Sequence, residues 1–148
     1  MNRASGAGMI LALGLGLLGM NVLSACQQGQ EIMPPEVATQ NHDAISPSGN
    51  YTLTVVALEE GGNPYQRFEI RDRKGQILFS PPEQFSARHT TVFLWDALDR
   101  AWVYSGDIGT FYWERQASSN DWQKWTYPQA EASAPAYLKQ LRPKFFPK

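Results

Sequence analysis

The 148-residue chain holds few side chains suited to covalent chemistry, and their spacing limits what they could do. There are two histidines, His42 and His89, and one cysteine, Cys26. A general base must be held within hydrogen-bond reach of the proton it removes. His42 stands in a polar, proline-containing stretch that reads as linker, so nothing holds it in productive geometry. His89 precedes a strand-like run and reads as a solvated loop residue. One cysteine excludes an internal disulfide framework and a multi-cysteine zinc site. No Gly-x-Ser-x-Gly, phosphate-loop or dinucleotide pattern occurs. Neither a Ser-His-Asp nor a Cys-His enzyme is expected, and no catalytic residue is assigned.

Carboxylates offer another route. Asp96, Asp99, Asp107 and Glu114 fall in or beside turns of the Trp95–Arg115 segment. Two of them about 5–9 Å apart could hydrolyse a glycoside, and a cluster could hold calcium through oxygen. Asp also favours turns because its side chain bonds nearby backbone N–H groups. Asp96 and Asp99 bracket one turn, and Arg100 could neutralise either. No complete calcium loop or repeat supports a metal, so no metal or cofactor is expected.

Rings are the more informative residues. All 18 aromatic residues lie between Tyr51 and Phe146. Phe93, Trp95, Trp102, Tyr104, Phe111, Tyr112 and Trp113 occupy three successive strand candidates, and Trp122, Trp125 and Tyr127 a fourth. Side chains alternate between the faces of a strand. Phe93 and Trp95 therefore share a face, as do Trp102 and Tyr104, while Tyr112 points away from Phe111 and Trp113. Both faces of such a sheet carry rings. One is core; the other is covered by a second sheet or the tail, or forms a displayed platform. Displayed rings anchor protein interfaces or stack on sugars. The candidate binding set is Trp95, Trp102, Tyr104, Tyr112 and Trp113, with Arg100, Asp107 and Glu114 as a polar rim.

These residues need a β scaffold. Tyr51–Leu58 is rich in β-branched residues. Tyr65–Arg71 alternates Phe68 and Ile70 against Arg67, Glu69 and Arg71, the pattern of a half-buried strand. Asp72–Gly75 closes a hairpin, and Gln76–Phe79 returns. Thr90–Trp95, Ala101–Ser105, Thr110–Arg115 and Trp122–Tyr127 follow, separated by turn residues. After Pro135, Ala136–Leu141 suits one or two helical turns. About seven strands at this spacing predict an all-β antiparallel meander, folded as a small sandwich or partly open barrel.

The N-terminus reads as a targeting segment. Arg3 precedes an uncharged apolar run, Met9–Met20, of signal-peptide length; a bilayer crossing takes about 20 residues. It ends in Leu23-Ser24-Ala25-Cys26, which resembles the lipobox of bacterial lipoproteins. That resemblance implies cleavage between Ala25 and Cys26, with diacylglyceryl and N-acyl lipid on Cys26. Gln27, in place of an Asp, implies the outer membrane, periplasmic side, in a Gram-negative cell. Two or three acyl chains hold stably where one does not. The expected organisation is a signal peptide at 1–25, a lipidated N-terminus and disordered tether at 26–48, and one β domain at 49–148. Residues 27–47 contain no Phe, Trp, Tyr, Lys or Arg and would reach about 70 Å extended.

Ser46-Pro47-Ser48-Gly49-Asn50-Tyr51 and Leu94-Trp95-Asp96 resemble short motifs of β-propeller blades. Roughly 100 residues are too few for the four blades that a propeller needs, so the first motif is read as a turn feeding a strand. The net charge of −1 argues against a dedicated nucleic-acid binder. It hides a polarity: residues 27–66 hold five acids and no Lys or Arg, and the last 12 residues hold Lys139, Arg142, Lys144 and Lys148 and no acid. Such a tail could meet an acidic partner or anionic headgroups. The expected function is a membrane-anchored, non-catalytic module that binds or scaffolds another envelope protein. Glycan or peptidoglycan binding through displayed Trp and Tyr is the alternative, and a carboxylate hydrolase a third.

Overall fold

The computed structural model describes residues 33–147. The expected signal segment and Leu23-Ser24-Ala25-Cys26 lie outside them. Ten strands and one helix are present among the described residues: β1 Val37–Ala38, β2 Ala44–Ile45, β3 Thr52–Glu60, β4 Asn63–Arg71, β5 Ile77–Phe79, β6 Phe85–Ser86, β7 Thr91–Trp95, β8 Ala101–Ser105, β9 Gly109–Arg115, β10 Trp122–Tyr127 and α1 Ala136–Leu141. They form two antiparallel sheets and no closed barrel. The first has the order β1-β7-β8-β9-β10; the second runs β2-β3-β4-β5, with β6 also on β4. The fold is all-β and sandwich-like. The propeller-like hexapeptide forms a turn into β3: Gly49 takes φ +70°, and the Ser46 N–H donates to the Tyr51 carbonyl at 2.9 Å.

Alternation explains the core. Leu53 and Val55 on β3 face Ile70 and Phe68 on β4. From the first sheet Phe93, Trp95, Val103, Trp113 and Trp122 join them in one buried cluster. Phe68 meets Trp113 edge-on at 4.9 Å and Phe93 at 6.1 Å. Fully burying a large apolar side chain contributes about 1.5–3 kcal/mol, so this ring-filled seam holds the sheets together.

The other face of the first sheet is covered by the C-terminus. Val92, Leu94, Trp102, Tyr104 and Tyr112 pack with Ala134, Leu138 and Phe146. The segment after β10 is therefore a third layer. Leu138 is the buried residue of α1, and Phe146 sits between Tyr104 and Tyr127 at 5.7 and 5.4 Å.

The tether expected at 26–48 is corrected in extent. Val37 pairs with Leu94 and Ala38 with Phe93, while Ala44 pairs with Leu53. Val37, Ala38 and Ala44 are buried. The Ala44 carbonyl accepts from the Trp95 indole N–H at 2.9 Å, inside the core. Small apolar residues in a polar stretch thus complete both sheet edges, and the domain reaches back to about Met33. Only residues 27–32 remain between Cys26 and the described chain, a span of at most about 20 Å.

Candidate functional site

The acidic residues are taken first, because catalysis or calcium would need them together. Asp96 is buried at the tip of the β7–β8 hairpin. Its Oδ1 accepts the backbone N–H groups of Leu98 and Arg100 at 2.9 and 3.1 Å. Its Oδ2 accepts Arg100 Nε at 2.6 Å and Trp102 Nε1 at 2.8 Å. Four donors, one of them charged, engage both oxygens and leave this carboxylate no role toward a substrate. Asp99 takes φ +59° in the same turn, and its Oδ1 accepts the Ser48 N–H at 3.0 Å. Asp107 is exposed on the β8–β9 turn, and Glu114 is half-buried on β9. Asp99 and Glu114 line one open cleft of about 290 Å³ together with Tyr51, Arg115 and Asn120, whereas Asp96 and Asp107 do not reach it. Among the described residues, no group of three or more His, Cys, Asp or Glu is placed to hold a metal.

On the outer face of the second sheet, Glu69 is buried between Arg67 and Arg71, to which it is ion-paired. Alternation along β4 puts the three on one face. The carboxylate offsets one of the two positive charges, and the cluster reads as structural.

The binding set Trp95, Trp102, Tyr104, Tyr112 and Trp113 is corrected by burial. All five are in the interior; Trp102 is 0% exposed and Tyr104, the most accessible, 7%. Trp95 and Trp113 serve the seam between the sheets, and the other three lie beneath the C-terminal layer. The register places Trp102 opposite Tyr112, and Tyr112 opposite Trp125. Their centroids are 4.8 and 6.4 Å apart, with interplanar angles of 26° and 21°. At such spacings neighbouring rings turn their faces to one another. A sugar stacks on a free face, and Trp102 and Tyr112 offer none. Arg100 adds a cation 5.1 Å from the Tyr112 centroid. Burial pushes the Tyr112 phenol above its ordinary pKa; Arg100 pulls it back, and Glu114 and Asp96 raise it slightly.

What the domain does display lies elsewhere. The chain enters beside the C-terminal end of β7, where the Trp95 N–H donates to the Glu36 carbonyl at 3.0 Å. The opposite end of that sheet gathers the start of β7, the Gly106–Gly109 turn, the end of β10 and the C-terminal residues. The Gly106 N–H donates to the Thr90 carbonyl at 2.9 Å, and Arg142 Nη2 donates to Thr90 Oγ1 at 2.9 Å. Phe145 is 64% exposed, although its ring reaches within 6.2 Å of Tyr104. Ile108, at the tip of the turn, is 48% exposed. Beside Phe145 opens a cleft of about 460 Å³ whose lining includes Tyr104, Asp107, Tyr127, Pro128 and Phe146.

Arg88, exposed two residues before Thr90, and Lys144 add positive charge at this end. Asp107 is the acid that lines the cleft. Residue types did not single out Ile108, Arg88 or Phe145. The one available signal was the basic run at the C-terminus, and adjacent phenylalanines look alike until the cap's packing separates them. This is a small all-β sandwich with a helical C-terminal cap. Comparison with protein-family models, with curated proteins and with solved structures returns no match.

Proposed function

We propose that this chain is a bacterial envelope lipoprotein, anchored through lipid on Cys26, whose β domain binds another envelope protein and does no chemistry itself. The lipobox-like Leu23-Ser24-Ala25-Cys26 supports the anchor. With residues 27–32 as the span, the domain would stay within about 20 Å of the bilayer surface. The observation that carries the binding reading is Phe145. The cap already buries its neighbour Phe146, so it gains little core from Phe145, yet Phe145 is displayed directly after Lys144. Large aromatics at exposed positions are typical interface anchors.

The experiment has two arms. Cys26→Ala is expected to abolish both membrane association and cleavage by the lipoprotein signal peptidase; a normally matured, membrane-bound variant refutes the anchor. Chemical crosslinking in intact cells is expected to join the protein to another envelope protein. Recovery only on isolated peptidoglycan, with no protein adduct, refutes the binding reading in favour of a glycan.

A further inference from the structure

We infer that the end of the sandwich built from Ile108, Phe145 and the cleft beside Phe145 is the docking surface, and that its occupant is an acidic protein segment carrying an apolar anchor. The inference rests on the protein-binding reading above and assigns that reading a place and a chemistry.

Three observations converge. The first is shape: the cleft of about 460 Å³ has rings and prolines in its lining, namely Tyr104, Tyr127, Pro128, Phe145, Phe146 and Pro147. The second is charge. Arg142 stands at Thr90 and the Tyr104 ring, Lys144 directly precedes Phe145 and Arg88 lies two residues before Thr90, against Asp107 in the lining, and the last 12 residues hold no acid. An excess of cations beside an apolar cleft favours a partner with carboxylates flanking an apolar residue. The third is position. The chain enters at the other end of β7, so this end lies a strand length away from the tether. A short anchor leaves the far end accessible to a neighbour in the envelope.

Arg142 is partly committed already, through Thr90 and a 5.8 Å approach to the Tyr104 ring. Arg88 and Lys144 are exposed and are the residues to alter.

The test is site-specific photocrosslinking with the full chain, in the cells that make it. p-Benzoylphenylalanine replaces Phe145 or Ile108 at the proposed surface. It replaces Leu98 or Ile77 elsewhere; both are also exposed. Positions 145 and 108 are expected to give the same protein adduct, and positions 98 and 77 none. The captured peptide is expected to carry Asp or Glu within a few residues of the crosslinked apolar side chain. Arg88→Glu with Lys144→Glu should lower adduct yield about tenfold or more, as loss of interfacial charge complementarity does. Unchanged thermal unfolding of that double variant would show that the loss is not misfolding. Adducts from positions 98 or 77 alone, or equally from all four, overturn the site and leave protein binding standing. Adducts to lipid or to a second copy of this chain, or a captured peptide without acids, overturn the assigned occupant. No protein adduct at any position overturns both readings.

Discussion

Phe145 and Phe146 are adjacent, chemically identical and oppositely placed, so truncating each to alanine tests the C-terminal layer directly. Phe146 is 1% exposed and touches the rings of Tyr104 and Tyr127. Removing a buried phenylalanine costs about 3–5 kcal/mol, as lost transfer energy plus the cavity left behind. A domain of this size has a total stability of about 5–15 kcal/mol. Its unfolding entropy, at about 2.1 cal/mol/K per residue over about 115 residues, converts that loss to a fall in Tm of roughly 12–20 °C. Phe145→Ala removes an exposed ring and should stay within about 0.5 kcal/mol. Urea unfolding followed by tryptophan fluorescence, with calorimetry for Tm, measures both. The rings beneath the cap make fluorescence a sensitive probe. If Phe146→Ala costs under about 1 kcal/mol, or both variants cost the same, the tail does not seal the outer face. The buried assignment of Trp102, Tyr104 and Tyr112 would then fail with it.

Asp96→Ala should destabilise by about 3–5 kcal/mol, because it strands Arg100 and the buried Trp102 indole N–H; Asp99→Gly, which suits φ +59° and loses one exposed bond, should cost under about 1 kcal/mol in the same urea titration. Val37→Ala should lower stability by about 2 kcal/mol, and limited proteolysis of the mature chain should trim it near residue 33; trimming to residue 48 with the core intact would restore the longer tether. The Tyr112 phenol is raised in the folded state, so its contribution is fully present below the ordinary tyrosine pKa and is lost as pH rises through the folded value. Tyr112→Phe should therefore flatten the alkaline fall of stability, read from Tm between neutral and strongly alkaline pH; an unchanged alkaline limb would contradict the burial that raises the phenol.

Much of the fold was legible because its signals are local. The seven longer strands and α1 follow from β-branched runs, alternation and turn residues, and their observed bounds fall close to the expected ones. The strands without such signals, β1, β2 and β6, have two residues each. A two-residue strand has no period to read; it exists because a long strand beside it offers unpaired backbone groups. Val37, Ala38 and Ala44 looked like linker for that reason. The site was less legible. Alternation correctly split the rings between faces, but it cannot say whether a face is covered. That depended on the cap, whose sequence after β10 is mostly small, polar and proline residues and reads as loop.

The rings answer the question that their number poses. A domain of about 115 residues has a large surface for its volume and must bury most of its large side chains to be stable. Four of the five tryptophans and both residues of the Tyr104–Phe146 contact are buried accordingly. Under that demand, a ring left in water is the informative residue, because apolar area there forgoes burial at about 25 cal/mol per Å². Phe145 stands out on this ground: it follows a turn in which its own N–H donates to the Arg142 carbonyl at 2.9 Å, so the backbone holds the ring outward while Phe146 turns in. A side chain that is fixed outward loses less conformational freedom on binding than one on a loose tail. The same cap thus buries the face that the sequence offered as a platform and displays, at its far end, one anchor in its place.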